Sequence, residues 1–128
     1  MRISELAKRA DVTPDTIRFY EKIGLLDESH FSRQENNYRD YHESALARLE
    51  LVRSGQEAGF KLAEMAGVLR AWENDEISRE QKRTFFLQRL EQIDAQMAKL
   101  EGMRAYVLEK LAMFGDVDCE PVEIAGGL

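Results

Sequence analysis

A mainly α-helical fold with one small two-stranded hairpin is what this sequence predicts, and three observations predict it. The stretch from Thr13 to Gly24 carries signals for both ends of a short helix. Asn36-Asn37 lies between two short segments rich in aromatics and arginine. From Phe86 to Phe114, residues recur at heptad spacing with a single polar exception.

The 128 residues suit one compact domain, or a small domain with an extension. No run approaches the roughly 20 apolar residues of a membrane span. Residues Met1 to Glu5 lack the apolar stretch of a signal peptide, so a cytoplasmic protein with no membrane partner is expected. The single cysteine, Cys119, excludes an internal disulfide framework and fits a reducing compartment. Net charge is −6, with 9 basic and 11 acidic residues in positions 1–60, then 9 and 13 in positions 61–128. That balance argues against general affinity for nucleic acid. Any DNA binding must rest on locally placed arginines.

Residues 3–10 read as a two-turn helix with Ile3, Leu6, Ala7 and Ala10 on one face. Asp11-Val12 is a tight connection. Thr13 is a good N-cap, Pro14 suits the first helical position, and Asp15 sits at the positive end of the helix dipole. Gly24 tolerates the left-handed dihedrals of a helix end. The helix is too short to survive alone. One of its faces is expected to offer Thr16, Arg18, Tyr20 and Lys22 to a partner, with Ile17 and Ile23 inward. Two short helices joined by a tight turn describe a helix-turn-helix, although any two short helices can mimic that pattern.

Asparagine pairs accept positive φ, so a hairpin joining Phe31-Ser32-Arg33 to Tyr38-Arg39-Asp40-Tyr41 follows. It reads either as a solvated loop with scattered charges or as a wing. In a wing, Arg33 and Arg39 would hold phosphates, while Tyr38 and Tyr41 pack or donate hydrogen bonds.

Helical periodicity returns at Ala45, Leu46, Leu49 and Val52, breaks at Gly55 and Gly59, and resumes through Leu62, Met65, Ala66, Leu69 and Trp72. Trp72 is expected as a core or interface anchor. Ser78 with Gln81 is a capping-box pattern. It opens a helix expected over residues 79–114, about 54 Å long. Phe86, Leu90, Ile93, Met97, Leu100, Arg104, Val107, Leu111 and Phe114 step alternately by four and three, with only Arg104 polar. Nothing else in the chain is large enough to cover that seam, so a homodimer joined along it is expected. Gly102 marks a close crossing or a tolerated flaw. Three regions follow: a head over 1–75, a dimerisation helix over 76–114 and a tail over 115–128.

These residues resemble the MerR family of bacterial transcription regulators. The likeness runs from Ile3-Ser4-Glu5-Leu6-Ala7 through Thr16-Ile17-Arg18-Phe19-Tyr20-Glu21 and Ile23-Gly24-Leu25-Leu26. It continues through Asn36-Asn37-Tyr38-Arg39-Asp40-Tyr41, Arg48-Leu49 and Gly59-Phe60 into the long helix, about 110 residues in the family's order. The resemblance implies a winged helix-turn-helix in each subunit and an antiparallel coiled coil between subunits. It also implies double-stranded promoter DNA with an over-long spacer, distorted on a signal so that RNA polymerase can use it. Activation is the output expected.

Metal-sensing members of that family place one cysteine at the end of the long helix and another in the loop after it. Two thiolates suit soft metals. Here Phe114 stands at the first position, and Cys119 resembles the second without a partner. Cys119 is therefore a weak metal candidate, and no cofactor is expected beyond a possible metal ion. A reactive thiol and an uninvolved cysteine are the other readings, with Asp118 and Glu120 disfavouring the thiolate. No Gly-rich phosphate loop, paired carboxylates or nucleophile–base pair points to an enzyme. The remaining rivals are an architectural DNA-binding protein and a coiled-coil interaction module.

Overall fold

The computed structural model describes residues 1–115, which hold five α-helices and a two-stranded antiparallel sheet. The chain divides into two compact units with a boundary between Phe85 and Phe86.

In the first unit, α1 (Ile3–Ala10) ends on Asp11, whose φ of 56° lies in the left-handed region. The helix α2 (Pro14–Lys22) begins as the sequence predicts: Thr13 Oγ1 accepts the Thr16 N–H at 3.1 Å, with Pro14 in the first turn. Gly24 follows with φ +89°, and a side chain there would also collide with the Arg70 guanidinium. The positive φ selects glycine, while the guanidinium, the far end of a flexible side chain, could move aside.

A 3₁₀ turn (Glu28–His30) leads into the hairpin. Asp27 caps it by accepting the Ser29 N–H at 2.9 Å, and buried His30 accepts the Asp27 N–H on Nδ1 at 3.1 Å. Burial holds the His30 imidazole below its ordinary pKa, which keeps that nitrogen an acceptor. The strands are β1 (Phe31–Arg33) and β2 (Arg39–Tyr41), paired Phe31 with Tyr41, Ser32 with Asp40 and Arg33 with Arg39. Asn37 supplies the positive φ, 64°, that the turn needs. The hairpin of the sequence reading is present.

Helices α3 (Glu43–Glu57) and α4 (Leu62–Glu73) complete the head. One core joins α1, α2, the hairpin, α3 and α4, with Leu6, Ile17, Leu25, Leu26 and Val52 fully buried at its centre. Arg48 is pinned within this unit by an ion pair with Glu73 and by donating to the Leu25 carbonyl at 3.2 Å. Arg53 donates to the carbonyl of Ala10, tying α3 to the end of α1. Trp72 is 39% exposed, with the Lys82 ammonium 4.5 Å from its ring centre, so it is a surface residue rather than a core anchor.

The long helix α5 (Arg79–Ala112) opens on the expected capping box: Gln81 N–H donates to Ser78 Oγ at 3.1 Å and Ser78 N–H to Gln81 Oε1 at 2.7 Å. Its start is held in the first unit by Phe85 stacked on Phe60, ring centres 4.7 Å apart. The helix stops two residues short of the expected end. Met113 and Phe114 form a turn, and Gly115 has φ +117°. Phe114, read as the last seam residue, therefore lies outside the helix. No residue of α5 is buried. Seam residues such as Leu90, Leu100 and Val107 are 51%, 61% and 54% exposed. Among the described residues, nothing crowds Gly102.

Candidate nucleic-acid interface

The exposed face of α2 and the wing share one cleft of about 420 Å³. Arg2, Arg18, Arg33 and Arg39 line it, together with Tyr38. They come from the residue capping α1, from α2 and from both strands. This is the local concentration of positive charge that an acidic protein needs if it is to meet a polyanion.

Each arginine is held differently. Arg18 pairs with Asp15 one turn back at 2.8 Å, both side chains well exposed. Such a pair contributes little and yields readily to a stronger anion. Arg2 lies 4.8 Å from the Tyr38 ring centre, and Tyr38 is 56% exposed at the wing. Arg33 donates to Asn37 Oδ1 at 3.1 Å, which stiffens the wing tip. Arg39 pairs with Glu21 of α2, whose other oxygen accepts Tyr41 Oη at 2.5 Å. Burial, then that hydrogen bond, raises the Tyr41 phenol above its ordinary pKa, so it remains a donor at neutral pH.

The residues expected to face a partner fall into two groups. Arg18, Lys22, Arg33 and Tyr38 are exposed, and Thr16 is half-buried with its hydroxyl 2.9 Å from that of Thr13. Tyr20 and Tyr41 belong to the core instead, 7% and 2% exposed. Residues 16, 18, 20 and 22 cannot share one face of a helix, whose neighbours lie three and four apart. Tyr20 falls three after Ile17 and turns inward with it. Tyr41 alternates onto the buried face of β2 and packs on Phe31. Arg39 lines the cleft as well, partly buried and paired with Glu21.

Arg2 and Ser4 also line the cleft and were missed in the sequence. A single arginine ahead of a helix has no periodic signature. Only the fold, which brings the start of α1 beside β2, shows its place.

Among the described residues, no group of three or more His, Cys, Asp or Glu is placed to hold a metal ion. His42 Nε2 lies 2.8 Å from Ser32 Oγ at the base of the wing. Cys119 lies outside the described residues. No described helix is long and apolar enough to cross a membrane.

Sequence comparison gives two family profiles. The one described as "MerR HTH family regulatory protein" matches residues 1–72, and "MerR, DNA binding" matches residues 46–109. The HTH-type transcriptional regulator ZntR of Escherichia coli K12 is 39% identical over 104 residues, spanning 80% of this chain and 72% of that one. CueR of Escherichia coli O6:H1 is 31% identical over 130 residues, covering 99% and 95%. The mercuric resistance operon regulatory protein of Bacillus cereus is 32% identical over 108 residues, covering 84% and 80%.

Among solved structures, the transcription regulator PbrR691 from Ralstonia metallidurans CH34, in complex with lead(II), is similar. Its TM-score is 0.71 at 28% identity, covering 98% of this chain and 92% of that one. HiNmlR, a MerR family regulator lacking the sensor domain and bound to promoter DNA, shares the fold. Its TM-score is 0.65 at 22% identity, covering 88% of each chain.

Proposed function

The chain belongs to the MerR family of DNA-binding transcriptional regulators, and from that premise we propose that it works as a cytoplasmic homodimer on a near-palindromic promoter with a long spacer. Two α5 helices pair antiparallel through Phe86, Leu90, Ile93, Met97, Leu100, Val107 and Leu111, with Phe114 just past the helix end. That pairing sets the distance between two copies of α2, and two-fold symmetry in the protein calls for two-fold symmetry in the site. Responding to a signal, the dimer bends and untwists the intervening base pairs, a deformation that protein contacts must offset. RNA polymerase then engages the realigned promoter, so the output is activation.

One observation carries this reading: four arginines from separate elements line one cleft beside α2 in a protein of net charge −6. Arg18 reaches a base edge or phosphate, with Thr16 and Lys22 beside it. Arg2 and Arg33 hold flanking phosphates, fixing register without reading sequence. Arg18→Ala is expected to weaken specific binding by about 1–3 kcal/mol, read by gel-shift titration on the protected site. Footprinting should show a two-fold site inside a promoter. Unchanged affinity in the variant, or protection with no symmetry, would sink the assignment.

Metal-responsive control is the second reading. It is supported by likeness to a mercuric resistance regulator and to PbrR691 in complex with lead(II). Cys119 is the one thiol that could serve it. Native mass spectrometry with zinc(II), copper(I) or mercury(II) tests this. A stoichiometric adduct that disappears in Cys119→Ser is expected if the reading holds, and no adduct at micromolar metal removes it.

A further inference from the structure

Arg39 differs from the other arginines of the cleft because its carboxylate partner sits on a different element. Its guanidinium donates to Glu21 Oε2, while Tyr41 Oη donates to Glu21 Oε1 at 2.5 Å. Both oxygens of one α2 carboxylate are thus occupied by β2. We propose that Glu21 is a positioning residue for DNA binding, clamping the wing to α2 and holding Arg39 away from the phosphate backbone. The functional half of this proposal rests on the DNA-binding reading above.

Four observations carry it. The Glu21 and Arg39 side chains are only 14% and 33% exposed, so this is not a solvated pair like Arg18 with Asp15. The Arg39 guanidinium also lies 4.7 Å from the Phe31 ring centre, held between an aromatic face and a carboxylate. Arg33 and Arg39 are directly paired across the two strands, where like charges oppose each other unless one is neutralised. Glu21 supplies that neutralisation and leaves Arg33, which donates to the neutral Asn37 amide, as the cation available to phosphate. Finally, two three-residue strands are marginal by themselves and need an outside support to keep a fixed angle.

Moving Arg39 onto a phosphate would strand a mostly buried carboxylate beside Tyr41, which is costly. Arg39 therefore contributes through geometry. Its loss should cost affinity without the electrostatic signature of a lost phosphate contact.

Each phosphate contact contributes about 0.9 to the slope of log affinity against log salt. Arg39→Ala is expected to bind the protected site roughly tenfold more weakly with an unchanged salt slope. Arg33→Ala should lower the slope by about 0.9 per protomer. Glu21→Ala, which removes both acceptors, should match Arg39→Ala, and the double variant should be no worse than either alone. A slope lowered by Arg39→Ala, or additive losses in the double variant, overturns the proposal.

Hydrogen exchange on the DNA-free protein decides the clamp independently. Glu21→Ala should speed exchange of the wing amides while those of α1 and α3 hold. Unchanged wing exchange also overturns it. If the unaltered protein bound no two-fold site, the DNA-binding reading would fail while the exchange result still judged the clamp.

Discussion

Leu100→Arg is expected to leave the protein monomeric at micromolar concentration and to abolish specific DNA binding. Leu100 is 61% exposed in the single chain and stands midway between Phe86 and Phe114 along the heptad register. In an antiparallel pairing of two α5 helices, the midpoint faces its own copy. One substitution therefore removes two leucines from the seam, each contributing about 1.5–3 kcal/mol when buried. It also sets two guanidinium groups against each other at the midpoint of that pairing. Arg104 already introduces one cation per helix into that seam, so the tolerance for another is small.

Sedimentation velocity should give a single species of one-chain mass, and gel-shift titration should show only salt-labile, non-specific binding. Helicity at 222 nm should fall as well, because beyond its anchored start α5 has no buried residue in the single chain. A Leu100→Arg protein that sediments as a dimer and binds normally would place the subunit contact elsewhere and remove the basis for a fixed half-site spacing.

The residues differ in how much they disclosed from sequence alone. Thr13 with Pro14, Asn37 in the turn, Ser78 with Gln81 and the four-three stepping of α5 were legible because each is a local rule: the cap, the positive φ or the period acts within a few residues. Tyr20 was misread because an alternating residue choice was laid over a helix, whereas Tyr41, expected to pack or to donate a hydrogen bond, does both, against Phe31 and to Glu21, from a buried position. Helical geometry alone would have turned Tyr20 inward. The Glu21 clamp, Arg48 with Glu73 and the place of Arg2 beside the wing were out of reach. Those pairings join residues far apart in the chain, and periodicity holds no information about which carboxylate meets which guanidinium. What the sequence fails to disclose is thus concentrated in long-range polar contacts, which organise the site more than they build the core.

Two adjacent residues of α2 should separate stability from recognition. Ile17 is fully buried in the core that joins α1, α2 and α3, whereas Arg18 is exposed in the cleft. Ile17→Ala is expected to destabilise the head by about 2–5 kcal/mol, from lost transfer energy plus the cavity left where the surroundings cannot collapse. Against a typical total of about 5–15 kcal/mol, that is a large fraction. Trp72, the only tryptophan, belongs to the first unit, so its fluorescence in a urea titration follows the head while 222 nm ellipticity is dominated by helix content throughout. Ile17→Ala should shift the fluorescence midpoint strongly, and DNA binding should recover on cooling as the folded fraction returns. Arg18→Ala should leave the stability read from that transition within about 0.5 kcal/mol of the unaltered protein's yet bind weakly at every temperature. If Ile17→Ala unfolds at the same urea concentration as the unaltered protein, α2 is not seated by its buried face. The arginines of the cleft would then have no rigid element to present them.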